Sequence, residues 1–288
     1  MSHASEEAER PRIGPMAAED EVPLTTRKGN RGLAMRAVVP NAITAAAMCS
    51  GLTGIRFAIG GMWAEAVLAV VFAGVLDGID GRIARLLRAQ SRFGAELDSL
   101  ADSLSFGTAP ALVLFLWSLS DMTQVGWFAA LAFAVCGALR LARFNAQIDV
   151  KDQPHKSAGF LTGVPAPVGA GLAFLPMYLW LATGDPLFRD PRLVAPWTAL
   201  MAFLMISNVA TLSWTLMRPR RDVRLAVILL VGMLFAALLV APWWSLVVIC
   251  VGYLALLPYA WTRYARIKRQ RAAVPVPAPF DAATSELH

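Results

Sequence analysis

The chain has 288 residues, of which 57% are hydrophobic and only 16% are charged. A typical soluble domain carries about a quarter charged residues, so this composition argues against an ordinary water-soluble globule. The charges are also unevenly placed, because residues 1–36 hold twelve of them and residues 263–288 hold seven. The 226 residues between these ends carry 27 charges, which indicates a membrane domain with two polar tails.

The net charge of +6 does not indicate a nucleic-acid partner, because Lys and Arg stand between apolar runs and form no basic face interleaved with aromatic residues. The three cysteines are isolated inside apolar runs, which is typical of small core residues and not of disulfide partners. The three histidines all lie outside the apolar runs, which argues against a histidine metal site or a Ser-His-Asp triad in the membrane domain.

In chain order, residues 1–35 show no sustained apolar period and are predicted to be a disordered tail. Eight apolar segments follow, each long enough or nearly so to cross about 30 Å of hydrocarbon. The sequence therefore predicts an all-α, polytopic integral membrane helix bundle, with six spans in a catalytic domain at 36–216, two additional spans at 217–264 and a disordered tail at 265–288. The predicted spans are 38–60, 62–81, 97–119, 124–145, 161–182, 194–216, 224–241 and 243–262.

Basic residues assign an orientation to these eight spans. Twenty-one Lys and Arg residues fall on the side of the N-terminus, against Arg56, Arg189 and Arg192 on the other side. The excess of positive charge marks the cytoplasmic side of a membrane protein. We therefore expect a multi-pass protein of the inner (cytoplasmic) membrane with both termini in the cytoplasm.

Four acidic residues stand at the ends of the second and third predicted spans. Asp77 and Asp80 are three residues apart, and Asp98 and Asp102 are four apart, so each pair shares one helical face. Residues 91–94 are expected to break the helix, which makes an antiparallel hairpin with both pairs near its cytoplasmic end. Because acidic residues in membrane segments are costly, they indicate a functional site by default.

Four converging carboxylates cannot all stay ionised without cations. Oxygen-only ligands favour hard divalent ions such as Mg²⁺ or Mn²⁺, and two such ions about 3.5–4 Å apart are a usual arrangement for phosphoryl displacement. Small residues at Gly78, Gly81 and Ala84 leave room for a phosphate to approach. The alternative is a solvated loop in which the acids pair with nearby arginines: Arg82, Arg85, Arg88 and Arg92.

These acids belong to a longer pattern: Asp77-x-x-Asp80-Gly81-x-x-Ala84-Arg85, then eight residues, then Gly94-x-x-x-Asp98-x-x-x-Asp102. The pattern resembles the complete signature of the CDP-alcohol phosphatidyltransferase family. The resemblance covers about residues 36–216. It implies that Asp77, Asp80, Asp98 and Asp102 bind two metal ions, with Asp102 also the catalytic base on the alcohol. It further implies that donor contacts come from Gly81, Ala84, Arg85 and Ser91, and from Asn41 and Thr44 in a Pro-Asn-x-x-Thr element, although these two could instead cap a helix.

Three further stretches, at 103–111, 140–145 and 160–167, are similar to the bacterial and archaeal phosphatidylserine synthase branch of that family. This implies transfer of a phosphatidyl group from CDP-diacylglycerol to L-serine, giving phosphatidylserine and CMP. Arg140 and Arg143 share a helical face and could bind the serine carboxylate, with Asn145 shaping the pocket. The same arginines could instead be anchors at the membrane surface.

Two alternatives stay open from the sequence. One keeps the donor and changes the acceptor to glycerol 3-phosphate or choline, and the other is a divalent-cation transporter, since acids in the membrane also mark ion pathways. Family resemblance also implies a homodimer. Small-residue stretches at Ala47–Gly51 and Ser50–Gly54 fit either a dimer contact or packing within one chain.

Overall fold

The computed structural model describes residues 31–89, 91–146, 160–207, 210–212 and 224–272. Within these ranges the chain is a bundle of helices with one short antiparallel ribbon, in agreement with the all-α prediction. The elements are α1 (Arg31–Ile59), α2 (Trp63–Leu86), α3 (Arg92–Asp102), a π-helix (Ser103–Thr108), α4 (Ala109–Trp117), a 3₁₀ turn (Leu119–Met122), α5 (Thr123–Ala146), β1 (Phe160–Thr162), α6 (Ala166–Ala173), α7 (Leu175–Thr183), a 3₁₀ turn (Pro186–Arg189), α8 (Pro191–Ile206), β2 (Ala210–Leu212), α9 (Arg224–Val240) and α10 (Pro242–Ala272).

Small residues bring α1 close to its neighbours. Ser50 donates a hydrogen bond to the carbonyl oxygen of Ala69, and a Cβ atom at Gly54 would lie 3.0 Å from the carbonyl oxygen of Ala66. A Cβ atom at Gly51 would lie 2.6 Å from the hydroxyl of Ser105, in the π-helix. The small-residue stretches of α1 therefore serve packing inside the chain, which was one of their two possible uses.

The break between α2 and α3 lies before the position predicted from the sequence. Helix α2 ends with backbone hydrogen bonds from Arg88 to Arg85 and from Ala89 to Ala84, and Arg88 takes the positive φ of 49° that usually favours glycine. Ser91 is the N-cap of α3, because its hydroxyl accepts a hydrogen bond from the Gly94 amide at 3.0 Å. Residues 92–94, predicted to be in the break, therefore form the first turn of α3.

Helix α3 continues through the π-helix into α4, and these together form one candidate membrane span, Arg92–Trp117. A π-helix inserts an extra residue into the turn and is frequent at functional sites. Its first residue follows Asp102 directly, and Phe106 within it is buried in the core of the bundle. The π-helix therefore sets how the aspartates of α3 are oriented with respect to the core.

The opposite end of the bundle is fastened by Arg189. Its Nε donates to the carbonyl oxygen of Trp117 at 2.9 Å, and its guanidinium carbon lies 5.7 and 5.6 Å from the ring centroids of Trp63 and Trp180. The Ser118 hydroxyl in turn donates to the Arg189 carbonyl oxygen at 2.8 Å. Cation–π and hydrogen bonds at one residue thus join α2, α4 and α7 at the end away from the aspartates.

Among the described residues, length and composition single out three helices that could cross a membrane: Arg36–Ile59, Arg92–Trp117 and Gln124–Ala146. The pair α6 and α7 makes a fourth if it counts as one span bent by 41°, and α8, α9 and part of α10 are shorter apolar helices. Helix α2 has 24 residues but also carries Glu65, Asp77 and Asp80. Each of the eight predicted segments is at least partly helical in the described residues. Several of these helices are shorter than the predicted span, and α2 carries three acids.

Several predicted boundaries differ from the structure. Helix α1 begins at Arg31 and α10 continues to Ala272, so both helices extend into the ranges expected to be tails. The predicted fifth and sixth spans include residues 161–162 and 210–212, which instead form β1 and β2, with Phe160 paired to Leu212. The tail residues 1–30 and 273–288 lie outside the described residues.

Candidate active site

The aspartates stand on α2 and α3, and α1 packs against both of these helices. The site is therefore built by three helices, and the two-helix hairpin expected from the sequence forms only part of it. A Cβ atom at Gly94 would lie 2.9 Å from Oδ1 of Asn41, so the missing side chain lets α3 approach α1 at this point. Glycine is therefore required at this signature position for the close packing of α3 against α1.

Three of the four aspartates converge. Each of Asp77, Asp98 and Asp102 offers a carboxylate oxygen, and these oxygens lie within 4.8 Å of one another. The carboxyl groups of Asp77 and Asp102 are close enough to share a hydrogen bond. Two ionised carboxylates have no proton with which to bond each other, so such an arrangement needs either a shared proton or a cation between them.

Asp80 is held separately from this cluster. It is 4% exposed and accepts a hydrogen bond of 2.6 Å from the Thr44 hydroxyl, which is 6% exposed. Asp80 remains near enough to Asp77 and Asp98 to interact with both electrostatically. The structure therefore assembles three aspartates into one cluster and fixes the fourth at its edge through α1.

A pocket of about 670 Å³ opens beside Asp80 and Asp98. It is concave and mixed in polarity, as expected of a site for a polar ligand. Phe144 also lines it, a residue that the sequence interpretation quoted within the stretch 140–145 but did not assign to the donor. The structure brings all six predicted donor contacts to this one pocket: Asn41, Thr44, Gly81, Ala84, Arg85 and Ser91.

The glycines on α2 leave the approach to this pocket clear. A Cβ atom built at Gly78 or at Gly81 would meet nothing within 4 Å. Packing within the described protein does not require glycine at these two positions. The absence of side chains there is instead consistent with space for a ligand. On the same helix, Arg85 is exposed and donates from Nε to the Gly81 carbonyl oxygen at 2.9 Å, which fixes the direction of its guanidinium group.

The three residues predicted to bind serine have different surroundings. Arg140 is 8% exposed, its Nε has no hydrogen-bond partner, and its charge interacts with Asp102. Arg143 donates to the carbonyl oxygens of Ile206 and Ser207 at the C-terminal end of α8. Asn145 donates to the Ser99 hydroxyl on α3 at 2.8 Å. Only Arg140 combines burial, a donor without a partner and proximity to the acid cluster.

The environment of Arg143 is a structural junction. Gly163 takes a φ of 76°, and a Cβ atom there would lie 2.7 Å from the Met205 carbonyl oxygen and 3.5 Å from the Arg143 guanidinium. A cation at the C-terminal end of a helix satisfies carbonyl groups that the helix leaves unpaired. The Gly163 turn and Arg143 therefore hold the end of α8, a packing role that differs from both serine binding and anchoring at the membrane surface.

An acidic cluster beside an open pocket of mixed polarity, in a bundle of apolar helices, is the arrangement expected of a membrane enzyme with a charged substrate. The sequence comparison then gives the family. The model for CDP-alcohol phosphatidyltransferases matches residues 37–214, and the chain belongs to this family. A second model, CDP-alcohol phosphatidyltransferase 2, matches residues 222–258, in α9 and α10.

Curated relatives of this chain include proteins named CDP-diacylglycerol–serine O-phosphatidyltransferase. The relative from Mycobacterium leprae is 35% identical over 265 residues, which are 92% of this chain and 86% of the relative. The relative from Mycobacterium tuberculosis is 36% identical over 233 residues, or 81% of each chain. One from Helicobacter pylori is 34% identical over 170 residues, or 59% of this chain and 70% of the relative.

Enzymes of this family generally depend on a divalent metal ion. The donor set of this chain fits such an ion, because Asp77, Asp98 and Asp102 offer only carboxylate oxygens, which hard divalent cations prefer. A cation would also relieve the repulsion between acids that the fold places side by side. The acid cluster is thus chemically suited to the metal that the family uses.

Proposed function

We propose that this protein transfers the phosphatidyl group of CDP-diacylglycerol to L-serine, giving phosphatidylserine and CMP. One observation carries the proposal: the acid cluster lies beside a pocket that gathers every signature position expected to contact the donor. The names of the relatives support serine as the acceptor. Glycerol 3-phosphate and choline are the competing acceptors that an assay has to separate from serine.

The donor enters the pocket with its nucleotide against α1 and its pyrophosphate against α2. Asn41 and Thr44 offer polar side chains at the α1 wall, and Gly81 and Ala84 allow the pyrophosphate to approach the helix backbone. Arg85 supplies positive charge where negative charge develops on the departing CMP. In this proposal the reacting phosphorus lies between the pocket and the three clustered aspartates.

The residues that would hold the metal are Asp77, Asp98 and Asp102, with Asp80 at the edge of the cluster. We propose two ions, Mg²⁺ or Mn²⁺. When bound, they would neutralise the oxygens of the pyrophosphate and stabilise the charge that develops during displacement. The hydrogen bond from Thr44 keeps the Asp80 carboxylate in one orientation without a bound ion.

Arg140 binds the acceptor and Asp102 activates it. Arg140 binds the serine carboxylate through guanidinium N–H groups, which holds the hydroxyl near Asp102. Asp102 takes the proton of the serine hydroxyl, and the oxygen attacks the β-phosphorus while the bond to CMP breaks. No nucleophilic Ser or Cys beside a base is apparent in the described part of the site, so direct attack by serine is the step we propose.

The surroundings of the enzyme follow from the same assignment. We propose that it lies in the inner membrane, with its active site and both termini on the cytoplasmic side, where the basic residues concentrate. We also propose a homodimer. Because the small residues of α1 pack against α2 and the π-helix of the same chain, the dimer contact would use other surfaces of the protein.

An assay with separate alcohols tests the proposed reaction. Purified full-length protein is incubated with CDP-diacylglycerol and serine, glycerol 3-phosphate, choline or no alcohol, with and without EDTA. We expect metal-dependent CMP release with serine alone, with phosphatidylserine as the lipid product. CMP release only with another alcohol would overturn the acceptor, and uptake of Mn²⁺ into vesicles without CMP release would favour a transporter.

A further inference from the structure

Asn145, near the C-terminal end of α5, is joined to helix α3 by a hydrogen bond between side chains. Its amide nitrogen Nδ2 donates to the Ser99 hydroxyl oxygen at 2.8 Å. We propose that Asn145 is a positioning residue for the carboxylates of Asp98 and Asp102, and that it acts on them through Ser99. This inference rests on the proposed function in taking a divalent cation at these acids, and it does not depend on serine as the acceptor.

The hydrogen bond from Asn145 has one possible direction. The Ser99 hydroxyl has a single proton, and it donates that proton to the Ala95 carbonyl oxygen of its own helix at 3.0 Å. The hydroxyl oxygen can therefore only accept from a neighbouring helix, which requires the nitrogen of the Asn145 amide to face it. The two bonds together connect the end of α5 to the backbone of α3.

Ser99 stands between the two acids of α3, one residue after Asp98 and three residues before Asp102. These three side chains project from about one turn of a helix with 3.6 residues per turn. A rotation of α3 that moved either carboxylate would also move Ser99 and break its bond to Asn145. The bond therefore opposes the motion that would separate these two acids from Asp77 on α2, whose carboxylate completes the cluster.

Burial alone does little to fix the rotation of α3. Of its 11 residues, all of them in the described part of the chain, Ala101 alone is buried. The π-helix separates α3 from α4, whose side chains are mostly buried. A segment with few buried contacts moves at low cost in free energy, and repulsion between neighbouring acids favours such movement. One hydrogen bond from α5 can therefore change how often the acid cluster is assembled.

Helix α5 approaches α3 at a second level as well. Arg140 stands five residues before Asn145 and interacts electrostatically with Asp102, which stands three residues after Ser99. The two contacts follow the antiparallel course of the helices and lie about 4.5 Å apart along α3 and about 7.5 Å apart along α5. Contacts at two heights restrain both the tilt and the rotation of α3 against α5.

This role differs from the serine contact that the sequence predicted for Asn145. Phe144 lines the donor pocket, and Asn145 is not among the residues around it. An acceptor contact would make KM for serine rise when Asn145 is replaced. A positioning role predicts weaker binding of the cation and a lower kcat, with KM for serine unchanged.

A double-mutant cycle of Asn145→Leu and Ser99→Ala tests the proposal in the full-length protein. Mn²⁺ is titrated in detergent without donor or alcohol, and the EPR signal of the free ion gives its affinity. We expect each single variant to bind Mn²⁺ about threefold to tenfold more weakly, as for a lost hydrogen bond. The double variant should bind no more weakly than the singles, because all three lack the same bond. Ser99→Thr keeps the hydroxyl and should bind nearly as the unmutated protein does.

The matched control is Ser245→Ala on α10, since the Ser245 hydroxyl also donates to the carbonyl oxygen four residues earlier, at 2.9 Å. Additive losses in the double variant, or the same loss in Ser245→Ala, would overturn the proposal. A higher KM for serine with unchanged Mn²⁺ affinity in Asn145→Leu would also overturn it, since the amide would then belong to the acceptor pocket.

Folding of each variant is judged by its melting temperature in detergent. If Asn145→Leu does not fold, Ser99→Ala is compared with Ser99→Thr, and equal Mn²⁺ affinity in these two contradicts the proposal. Because Mn²⁺ binding is measured without any alcohol, weaker binding supports the role of Asn145 even if another acceptor is used. A lack of CMP release with serine in the unmutated protein would instead overturn the proposed function and leave this test intact.

Discussion

The Thr44 hydroxyl on α1 donates a hydrogen bond of 2.6 Å to the Asp80 carboxylate on α2, and both side chains are buried. Sequence reasoning assigned Thr44 to the nucleotide. Its position also makes it a positioning residue, because it holds an expected metal ligand in one rotamer before any substrate binds. Burial makes this bond stronger than the same contact would be at the surface.

Replacing Thr44 by Val removes the bond while keeping the shape of the side chain. A hydrogen bond to a charged group is worth about 1.5–3 kcal/mol, so we expect weaker binding of Mn²⁺ by about tenfold or more. Calorimetric titration of the protein with Mn²⁺ measures this directly. Thr44→Ser keeps a hydroxyl and should bind nearly as the unmutated protein does. The control is Thr53→Val, which removes an exposed hydroxyl of the same helix. Equal Mn²⁺ affinity in Thr44→Val and Thr44→Ser would contradict the role.

Asp102→Asn tests the base. Loss of a general base typically lowers turnover by about 10²–10⁴-fold, while an amide of the same size leaves donor binding largely in place. Turnover is followed as CMP release, and binding is followed by titration with CDP-diacylglycerol. Glu96→Gln is the matched control, because Glu96 is an exposed acid of the same helix outside the cluster. Near-normal turnover of Asp102→Asn would refute the assignment.

The two arginines on α5 should respond differently to substitution. Arg140→Lys replaces a planar, bidentate donor by a point charge, and we expect KM for serine to rise about tenfold or more with little change in KM for the donor. Arg143→Gln removes hydrogen bonds to the end of α8 and should lower the melting temperature. Serine kinetics and thermal unfolding in detergent measure the two effects. If KM for serine is unchanged in Arg140→Lys, the acceptor pocket lies elsewhere.

Gly81→Ala tests whether the glycine is needed for ligand binding or for folding. Because the added methyl group meets nothing in the protein and alanine favours helices by about 0.5–1 kcal/mol over glycine, we expect stability to be kept or raised. KM for CDP-diacylglycerol should nevertheless rise, since the methyl group occupies the pocket. Gly232→Ala on α9, also in open space, should leave KM unchanged. A reduced melting temperature for Gly81→Ala would show that the glycine is needed by the fold.

Alanine substitutions at two glycines with nearly equal positive φ compare the cost of backbone strain alone with the cost of strain plus a steric clash of the added Cβ atom. Gly163 and Gly184 have φ values of 76° and 71°, but a Cβ atom collides with the Met205 carbonyl oxygen only at Gly163. Alanine in the left-handed region costs about 1 kcal/mol, so Gly184→Ala should be mildly destabilising. Gly163→Ala should lower the free energy of unfolding by clearly more. Equal losses, measured by unfolding in detergent, would show that the junction at Arg143 can adapt.

The sequence predicted the helical class from apolar periodicity, and its tightly spaced motif named six positions that line one pocket. It did not predict that Asp80 is tied to Thr44, since that bond depends on how α1 rotates against α2. It also placed residues 161–162 and 210–212 in helices. These residues pair across a long separation in the chain, and local apolar composition does not carry that information.

Asn41 and Thr44 lie three residues apart on one rigid helix, with the first lining the donor pocket and the second holding Asp80. A ligand that shifts α1 at one of these points shifts it at the other. Thermodynamic reciprocity then requires that, if nucleotide tightens the hold on the cation by some factor, the cation tightens the hold on nucleotide by the same factor. Departure of the spent nucleotide would then lower the affinity for the cation by that same factor.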